Sequence, residues 1–378
     1  MVEKFNPTSD FPKLDRTNEA LGPGGGEDLD VEEVGQEVDV DQPREEANIE
    51  IVDDGSAVIN PEQEQPEINF NSNLAEVMDE SYLQAVANDL IEKVDNDKST
   101  REDWEQSYTK GLDLLGFKYE ERTRPFRGAS SVNHPMLAQA VTQFQAMAYV
   151  ELLPADGPVR TQVIGQNSPE LQTAAERVKD YMNYEITHVM EDYNPEMDTL
   201  LFQLPLAGSA FKKIYYDEVL GRATSKFIPA EDVIVPYGCS DLDDCERITQ
   251  VLKMSLNDLR KKQVSGFYLD IDTVGYDGAN GSDLQEKKNE IDGESAGNYA
   301  MDDMAELYES HVDLDIEGFE DINPKTGEPS GIKLPYIVTI DKSSNQVLSI
   351  YRNYNQRDPL RKKNDYFVHY KFLPGLGF

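Results

Sequence analysis

Four histidines, two cysteines and a large excess of carboxylates are the residues of this chain that could do chemistry. The histidines, His134, His188, His311 and His369, lie far apart, and none sits in an H-x-E or H-E-x-x-H grouping that would put metal ligands on one helix face. Cys239 and Cys245 are too few to build a disulfide framework or a four-ligand zinc site, so the expectation is two reduced thiols. Three acidic segments approach the calcium-loop spacing, which needs acids at positions 1, 3, 5 and 12 with glycine at 6. Asp270-x-Asp272 has Gly275 in register but Gly281 at the closing position, and Asp313-x-Asp315-x-Glu317-Gly318 has Pro324 there. Asp241-x-Asp243-Asp244 has no glycine in register. Val312, Leu314 and Ile316 alternate with Asp313 and Asp315, so those acids read as the wet face of a strand. Arg122, Arg124 and Arg127 flank Pro125-Phe126, and Arg357, Arg361, Lys362 and Lys363 form a second basic group. Either group would pair with nearby carboxylates or, alternatively, touch phosphate. No G-x-S-x-G elbow and no Walker loop occurs, and Gly375-x-Gly377 is too short for a nucleotide site. No catalytic, cofactor-binding or metal residue is assigned, no cofactor is implied, and an enzyme is not expected. A carboxylate- or metal-dependent hydrolase stays as the weaker alternative, because convergence of acids in space is invisible in sequence.

Net charge frames the partners. The chain carries 73 acidic and 35 basic residues, a formal charge of −38. Coating DNA needs lysine and arginine to displace counterions, so most of this surface repels DNA; a channel through which DNA slides without adhering stays compatible. No apolar run is long enough to span a membrane, and Met1–Asp10 lacks the apolar core of a secretory signal, so no membrane partner is expected and the cytoplasm is the expected site of synthesis.

The elements that must position these residues follow from periodicity. Residues 1–70 hold 20 acidic and 4 basic residues with only scattered apolar ones, which predicts a disordered acidic arm over 1–72. Region 73–207 reads as helical. Its first helix is expected to be capped by Ser72 or Asn73, its second by a Ser99–Glu102 capping box, with a stop at Gly116. A third helix starts at Pro135 and stops at Pro154. A fourth starts after Ser168-Pro169, with a stripe of Leu171, Ala175, Val178, Met182, Ile186 and Val189, and breaks at Asn194-Pro195. A fifth runs from about Glu196 towards Ala207. Region 208–270 is α/β, with a hairpin of Ala210–Tyr216 and Ala223–Ile228 around Leu220-Gly221. It continues with strands at Asp232–Pro236 and Arg247–Met254 and a short helix Leu256–Val264 capped by Ser255. Region 271–303 reads as a mobile loop, and 304–378 as a β-rich region with strands at Leu307–Ile316, Tyr336–Asp341, Val347–Tyr351 and Tyr366–Phe372. The fold class is α+β, a helical N-terminal half followed by a strand-rich region.

Four stretches carry a likeness. Arg124–Thr161 reads RPFRGASSVNHPMLAQAVTQFQAMAYVELLPADGPVRT, Gly208–Asp217 reads GSAFKKIYYD, Phe227–Gln250 reads FIPAEDVIVPYGCSDLDDCERITQ, and Phe367–Phe378 reads FVHYKFLPGLGF. In order and wording they resemble the portal proteins of short-tailed bacteriophages. The resemblance implies a homo-oligomeric ring, usually of twelve subunits, at one capsid vertex of the virion, with assembly in the host cytoplasm. It implies double-stranded DNA passing through the ring during packaging and ejection. It implies docking of the terminase large subunit, of capsid and scaffold proteins, and of tail or head-completion proteins. Residues 75–378 would form mainly the outer wing. In the family, stem, tunnel and clip elements follow the segment matching Phe367–Phe378, so the expectation is a chain truncated before them. A head–tail adaptor or other virion structural protein is the alternative within the same class.

Overall fold

The computed structural model describes residues 49–51, 57–59, 69–115, 126, 134–165, 168–217, 220–239, 241–273, 284, 287, 288, 291, 304–322 and 326–372. The chain divides into two compact units, Met1–Glu67 and Ile68–Phe378. In the first, strand β1 (Ile49–Ile51) pairs antiparallel with β2 (Ala57–Ile59). The rest of the stretch read as an arm lies outside the described residues up to 68, as do the Arg122–Arg127 cluster apart from Phe126, most of loop 271–303, and Gly375-x-Gly377.

The second unit is α+β. Its helices come first: α1 (Glu80–Thr100), α2 (Glu102–Leu114), α3 (Met136–Leu152), α4 (Pro169–Tyr184) and α5 (Tyr193–Ala207). A strand-rich region follows: β3 (Ser209–Asp217), β4 (Arg222–Ile228), β5 (Val233–Ile234), β6 (Arg247–Ser255), β7 (Met304–Leu314), β8 (Leu334–Asp341), β9 (Gln346–Arg352) and β10 (Phe367–Lys371), with α6 (Leu256–Val264) after β6. All described strand pairs are antiparallel. One sheet has the order β5-β6-β7-β8-β9 and the other β10-β3-β4.

The layers follow from which side chains alternate. On β8, Tyr336, Val338 and Ile340 face α1, whose Leu83, Ala87 and Leu90 recur at helical spacing and are buried there. Burying each such side chain stabilises by about 1.5–3 kcal/mol. On the opposite face of the five-stranded sheet, Ala305, Leu307 and Leu348 meet Leu259 of α6. Beside them Ile248 meets Phe211 of the three-stranded sheet. The far face of that small sheet, through Ala210 and Phe227, covers Met197, Leu200, Leu201 and Leu204 of α5, and α3 lies against α5 through Phe144 and Ala148.

Helix ends show where neighbours override local signals. Ser255 Oγ accepts from Asp258 N at 3.1 Å, the cap expected for α6. Ser168 caps α4 in the same way through Leu171 N. The Ser99–Glu102 box does not form. Ser99 Oγ donates back to Asn96 O at 2.8 Å inside α1, and Arg101 occupies the N-cap position of α2. Arg101 is drawn there because its guanidinium donates to the carbonyls of Glu231 and Val233. The fourth helix ends earlier than expected. It widens into a π-helical turn, Glu185–Val189, breaks at Met190, and leaves Asn194-Pro195 in the first turn of α5, where a missing N–H costs little. Gly208, at φ +81°, closes α5 in the left-handed conformation glycine favours.

The first expected helix also begins differently. Asn73 caps only a 3-10 turn, Leu74–Glu76, and α1 starts at Glu80. The Asn73 amide is held by the edge strand β9: it donates to Leu348 O at 3.2 Å and accepts from Ile350 N at 3.0 Å. It thereby satisfies edge groups that a further strand would otherwise seek. Asn73→Ala strands two buried backbone groups and removes a cap, so it should lower unfolding free energy by about 2 kcal/mol in urea titration.

Candidate functional site

Three arrangements in the second unit have the residue types for a function. The first lies between the sheets. Lys213 on β3 donates to Glu309 Oε1 on β7 at 2.5 Å and to Gln250 Oε1 on β6 at 3.0 Å, and His311 Nε2 lies 2.8 Å from the same Glu309 oxygen. Antiparallel registry explains the meeting: Gln250 pairs with Glu309 across β6 and β7, and His311 stands two residues along the same face. The Lys213, Glu309 and His311 side chains are only 14%, 15% and 8% exposed. Burial opposes ionisation of Glu309. The His311 hydrogen bond and the Lys213 charge outweigh it and bring the carboxyl down to about 2. A carboxylate and an imidazole are two parts of an acyl-transfer relay. Among the described contacts, however, the imidazole's other neighbours are the Tyr366 and Phe367 rings, not an attacking hydroxyl or thiol. The cluster acts as a charged clamp between two sheets.

The second is Lys212, 1% exposed on the other face of β3. Among the described residues its Nζ has no hydrogen-bond acceptor, and it lies 4.0 Å from the Tyr193 ring centre. Burial pushes the amine down to about 8, opposed by Glu196. Such a lysine has the basicity of a nucleophile, but its enclosure keeps it from substrate. Its folded value lies below the ordinary one, so the charged form costs stability, most fully below about pH 8, and the cost fades as pH rises towards 10.5. Lys212→Met should therefore raise unfolding free energy at pH 7 by about 1–3 kcal/mol, and flatten the rise in stability of the parent between pH 8 and 10.5. Denaturant titrations at three pH values test this.

Of the acidic segments weighed for calcium, two have their leading aspartate engaged elsewhere. Asp270 pairs with Arg260, and Asp241 caps the turn Leu242–Asp244 through Leu242 N. Asp313 and Asp315 are exposed while Val312 and Ile316 are buried, as the alternation indicates. Among the described residues no group of three or more His, Cys, Asp or Glu side chains is gathered as a metal would need. His188 lies within the π-helical turn and packs on Tyr184, and His369 stacks on Phe211 at 4.6 Å. In the second basic group, Arg361 pairs with Asp321, and Lys363 Nζ donates to Leu242 O and Asp243 O. The cysteine expectation is corrected: Cys239 and Cys245 are joined as a disulfide. The capped turn between them brings their Cα atoms to 5.4 Å.

The third arrangement is a pair of apolar surfaces. Residues 136–150 of α3 include no charged side chain. A helix this poor in charge is ordinarily enclosed, yet only Val141 of α3 is fully buried, and Met136, Met147 and Val150 are 71%, 67% and 70% exposed. With exposed Ala140 and Gln143 between them, they form one stripe four turns long. Helix α4 is more extreme. It is amphipathic, and it has no buried residue at all. The segment before it grips one flank, where Asn183 bonds both Val159 N and Val159 O and Thr161 Oγ1 donates to Ala175 O. The stripe of Leu171, Val178 and Met182 remains 50%, 51% and 44% exposed, with Tyr181 beside it. Helices of this length owe most of their stability to packing of the apolar face. These two faces are the most developed candidate site for binding another macromolecule. The stripe on α4 was visible as a helical period in sequence; that it stays uncovered was not.

Among the described residues no helix is long and apolar enough to cross a membrane. Comparison with protein-family models finds none that matches the chain, and comparison with curated proteins finds no relative.

Proposed function

We propose that this chain is a ring-forming structural subunit of the bacteriophage portal type, which acts by shape and not by catalysis. The observation that carries the reading is the presence of two different exposed apolar faces, on α3 and α4, in one subunit. A ring of identical subunits needs two such faces, because each copy meets its neighbours through unlike surfaces. An isolated apolar patch of this extent on a soluble chain marks an interaction surface.

A second line of support is where the four portal-like stretches fall. Gly208–Asp217 supplies β3, Phe227–Gln250 supplies β5, the last two residues of β4 and part of β6, and Phe367–Phe378 supplies β10, so two of the three strands of the smaller sheet lie within them. Arg124–Thr161 supplies α3, and its Phe144 meets Phe372 edge to face at 5.2 Å. Residues scattered in sequence are therefore neighbours in one structural unit. In this reading the partners are further copies of the chain, the terminase large subunit, capsid and scaffold proteins, and tail or head-completion proteins. Double-stranded DNA would pass through the ring. Its location would be the portal vertex of the virion.

Negative-stain microscopy of the protein expressed from its whole reading frame is expected to show closed rings with a central hole. Only monomers up to micromolar concentration would overturn the reading, and metal-dependent cleavage of DNA or glycan abolished by paired carboxylate substitutions would replace it with the hydrolase alternative.

A further inference from the structure

We infer that the Cys239–Cys245 disulfide is a reversible redox latch, opened by small thiols, that fastens residues 353–366 to the loop between β5 and β6. The latch lies within one chain, so it operates whether or not subunits assemble.

Both halves of the latch are built from named contacts. The disulfide joins residues six apart, with their Cα atoms at 5.4 Å. Between them Asp241 caps the turn Leu242–Asp244, and Cys245 N donates to Leu242 O at 3.3 Å. Lys363 Nζ reaches this loop from the segment between β9 and β10. It donates to Leu242 O at 2.9 Å and to Asp243 O at 2.8 Å. Bonds from a charged amine are among the stronger ones. They hold a segment whose neck is narrow: Tyr354 and Lys363 form an antiparallel bridge, and Asn364 N donates to Asn353 O at 3.0 Å. Further along, Lys371 Nζ of β10 stands 3.9 Å from Asp241 Oδ1. The shape of the closed loop therefore decides whether its two carbonyls stand where one amine can reach both.

Two observations make the bond reversible. The first is access. Cys245 is 9% exposed and packs with Leu242 and Ile248, whereas Cys239 is half-buried and follows Tyr237, which is 85% exposed. A thiolate from solvent thus reaches one sulfur of the pair, and exchange depends on such access. The second is that opening strands nothing. Cys245 Sγ lies 3.2 Å from Asp241 O, so as a thiol it donates there. A cross-link over six residues also removes less chain entropy than one closing a long loop, so the fold outlasts its loss. In the step itself, a glutathione thiolate attacks Cys239 Sγ, the S–S bond breaks, and the electron pair leaves on Cys245 Sγ, which takes a proton from water. A second glutathione thiolate attacks the glutathione sulfur of the mixed disulfide and releases Cys239, which is protonated in turn. The protein gains two electrons and two protons, and two glutathiones leave as glutathione disulfide. Excess glutathione disulfide drives the reverse.

The test equilibrates the full parent chain, free of air, with mixtures of reduced and oxidised glutathione at pH 7. Alkylation and intact mass spectrometry count the thiols, and hydrogen exchange follows the backbone. Two thiols are expected to appear and disappear reversibly across the mixtures. On reduction the amides of 353–366 should exchange about ten-fold faster or more, while those of β8 stay as they were. Lys363→Met in the oxidised chain should reproduce that acceleration, and reduction should then add little, because the same tie is already open. A disulfide that resists glutathione until the chain unfolds would be a permanent staple and would overturn the inference. Cysteines that stay unpaired in oxidised glutathione would overturn it too. Unchanged exchange over 353–366 on reduction would show that the bond fastens nothing, and additive effects of reduction and Lys363→Met would show that the tie does not run through Lys363; either sinks the latch.

Discussion

Asp97→Ala should cost about 3–5 kcal/mol of unfolding free energy, the largest loss expected for any single truncation in this fold. Asp97 lies near the C-terminal end of α1 and accepts from Arg247 Nη2 at the start of β6. The residues are 5% and 7% exposed, and the pair ties the helix layer to the five-stranded sheet. Removing the carboxylate leaves a guanidinium that cannot deprotonate inside the protein, with its Nε already lacking an acceptor among the described residues. The penalty is that of an uncompensated buried charge and far exceeds the worth of an exposed ion pair, about 0–1 kcal/mol. Asp97→Leu combined with Arg247→Met should recover much of the loss, because it removes both charges and fills the space. A double-mutant cycle by urea denaturation measures the coupling. Loss below about 1 kcal/mol in Asp97→Ala would mean that water reaches the guanidinium.

Glu309→Gln should destabilise by about 3 kcal/mol and should also alter the response to acid. The folded carboxyl sits at about 2 against an ordinary 4.5. Its folded value is depressed, so its contribution is complete above pH 4.5 and is lost as pH falls from there to about 2. A shift of this size corresponds to about 3 kcal/mol. The parent should therefore lose stability steeply across that window, and Glu309→Gln should lose less, with the two curves converging near pH 2. Unfolding free energies at pH 7, 4.5 and 3 test the slope. Parallel curves would place the acid sensitivity in other carboxylates.

Where the chain's own neighbours do not intervene, the architecture is written in local pattern. The β3–β4 hairpin follows from period-2 alternation around Leu220-Gly221, and its observed register joins Phe211 to Ile228. Helix α6 follows from Ser255 and Asp258. Misreadings arise where a side chain has a distant partner that no window of sequence contains. Asn73 is spent on β9, and Arg101 on the carbonyls of Glu231 and Val233, so the expected starts of the first two helices shift. The inter-sheet clamp left one trace, a glutamate and a histidine two apart within the strand Met304–Leu314. That trace alone does not identify Lys213 as the third member. The apolar stripe of α4 was legible as periodicity, whereas the exposed residues of α3 lie off the face its periodicity marks. That the α4 stripe stays uncovered was not legible, because the same period describes a helix packed inside a chain and one packed against another chain.

The three-stranded sheet has a consequence for biosynthesis. Its central strand, β3, is flanked by β4, which follows at once, and by β10, which is among the last residues described. One side of β3 is therefore complete as soon as the hairpin emerges from the ribosome, while the other keeps bare amides and carbonyls until Lys371 has been made. Closure over so long a loop is slow compared with hairpin formation. During that interval nascent chains on one message expose matching strand edges to each other. A chaperone that shields β3 during synthesis should consequently raise soluble yield more than one added after release.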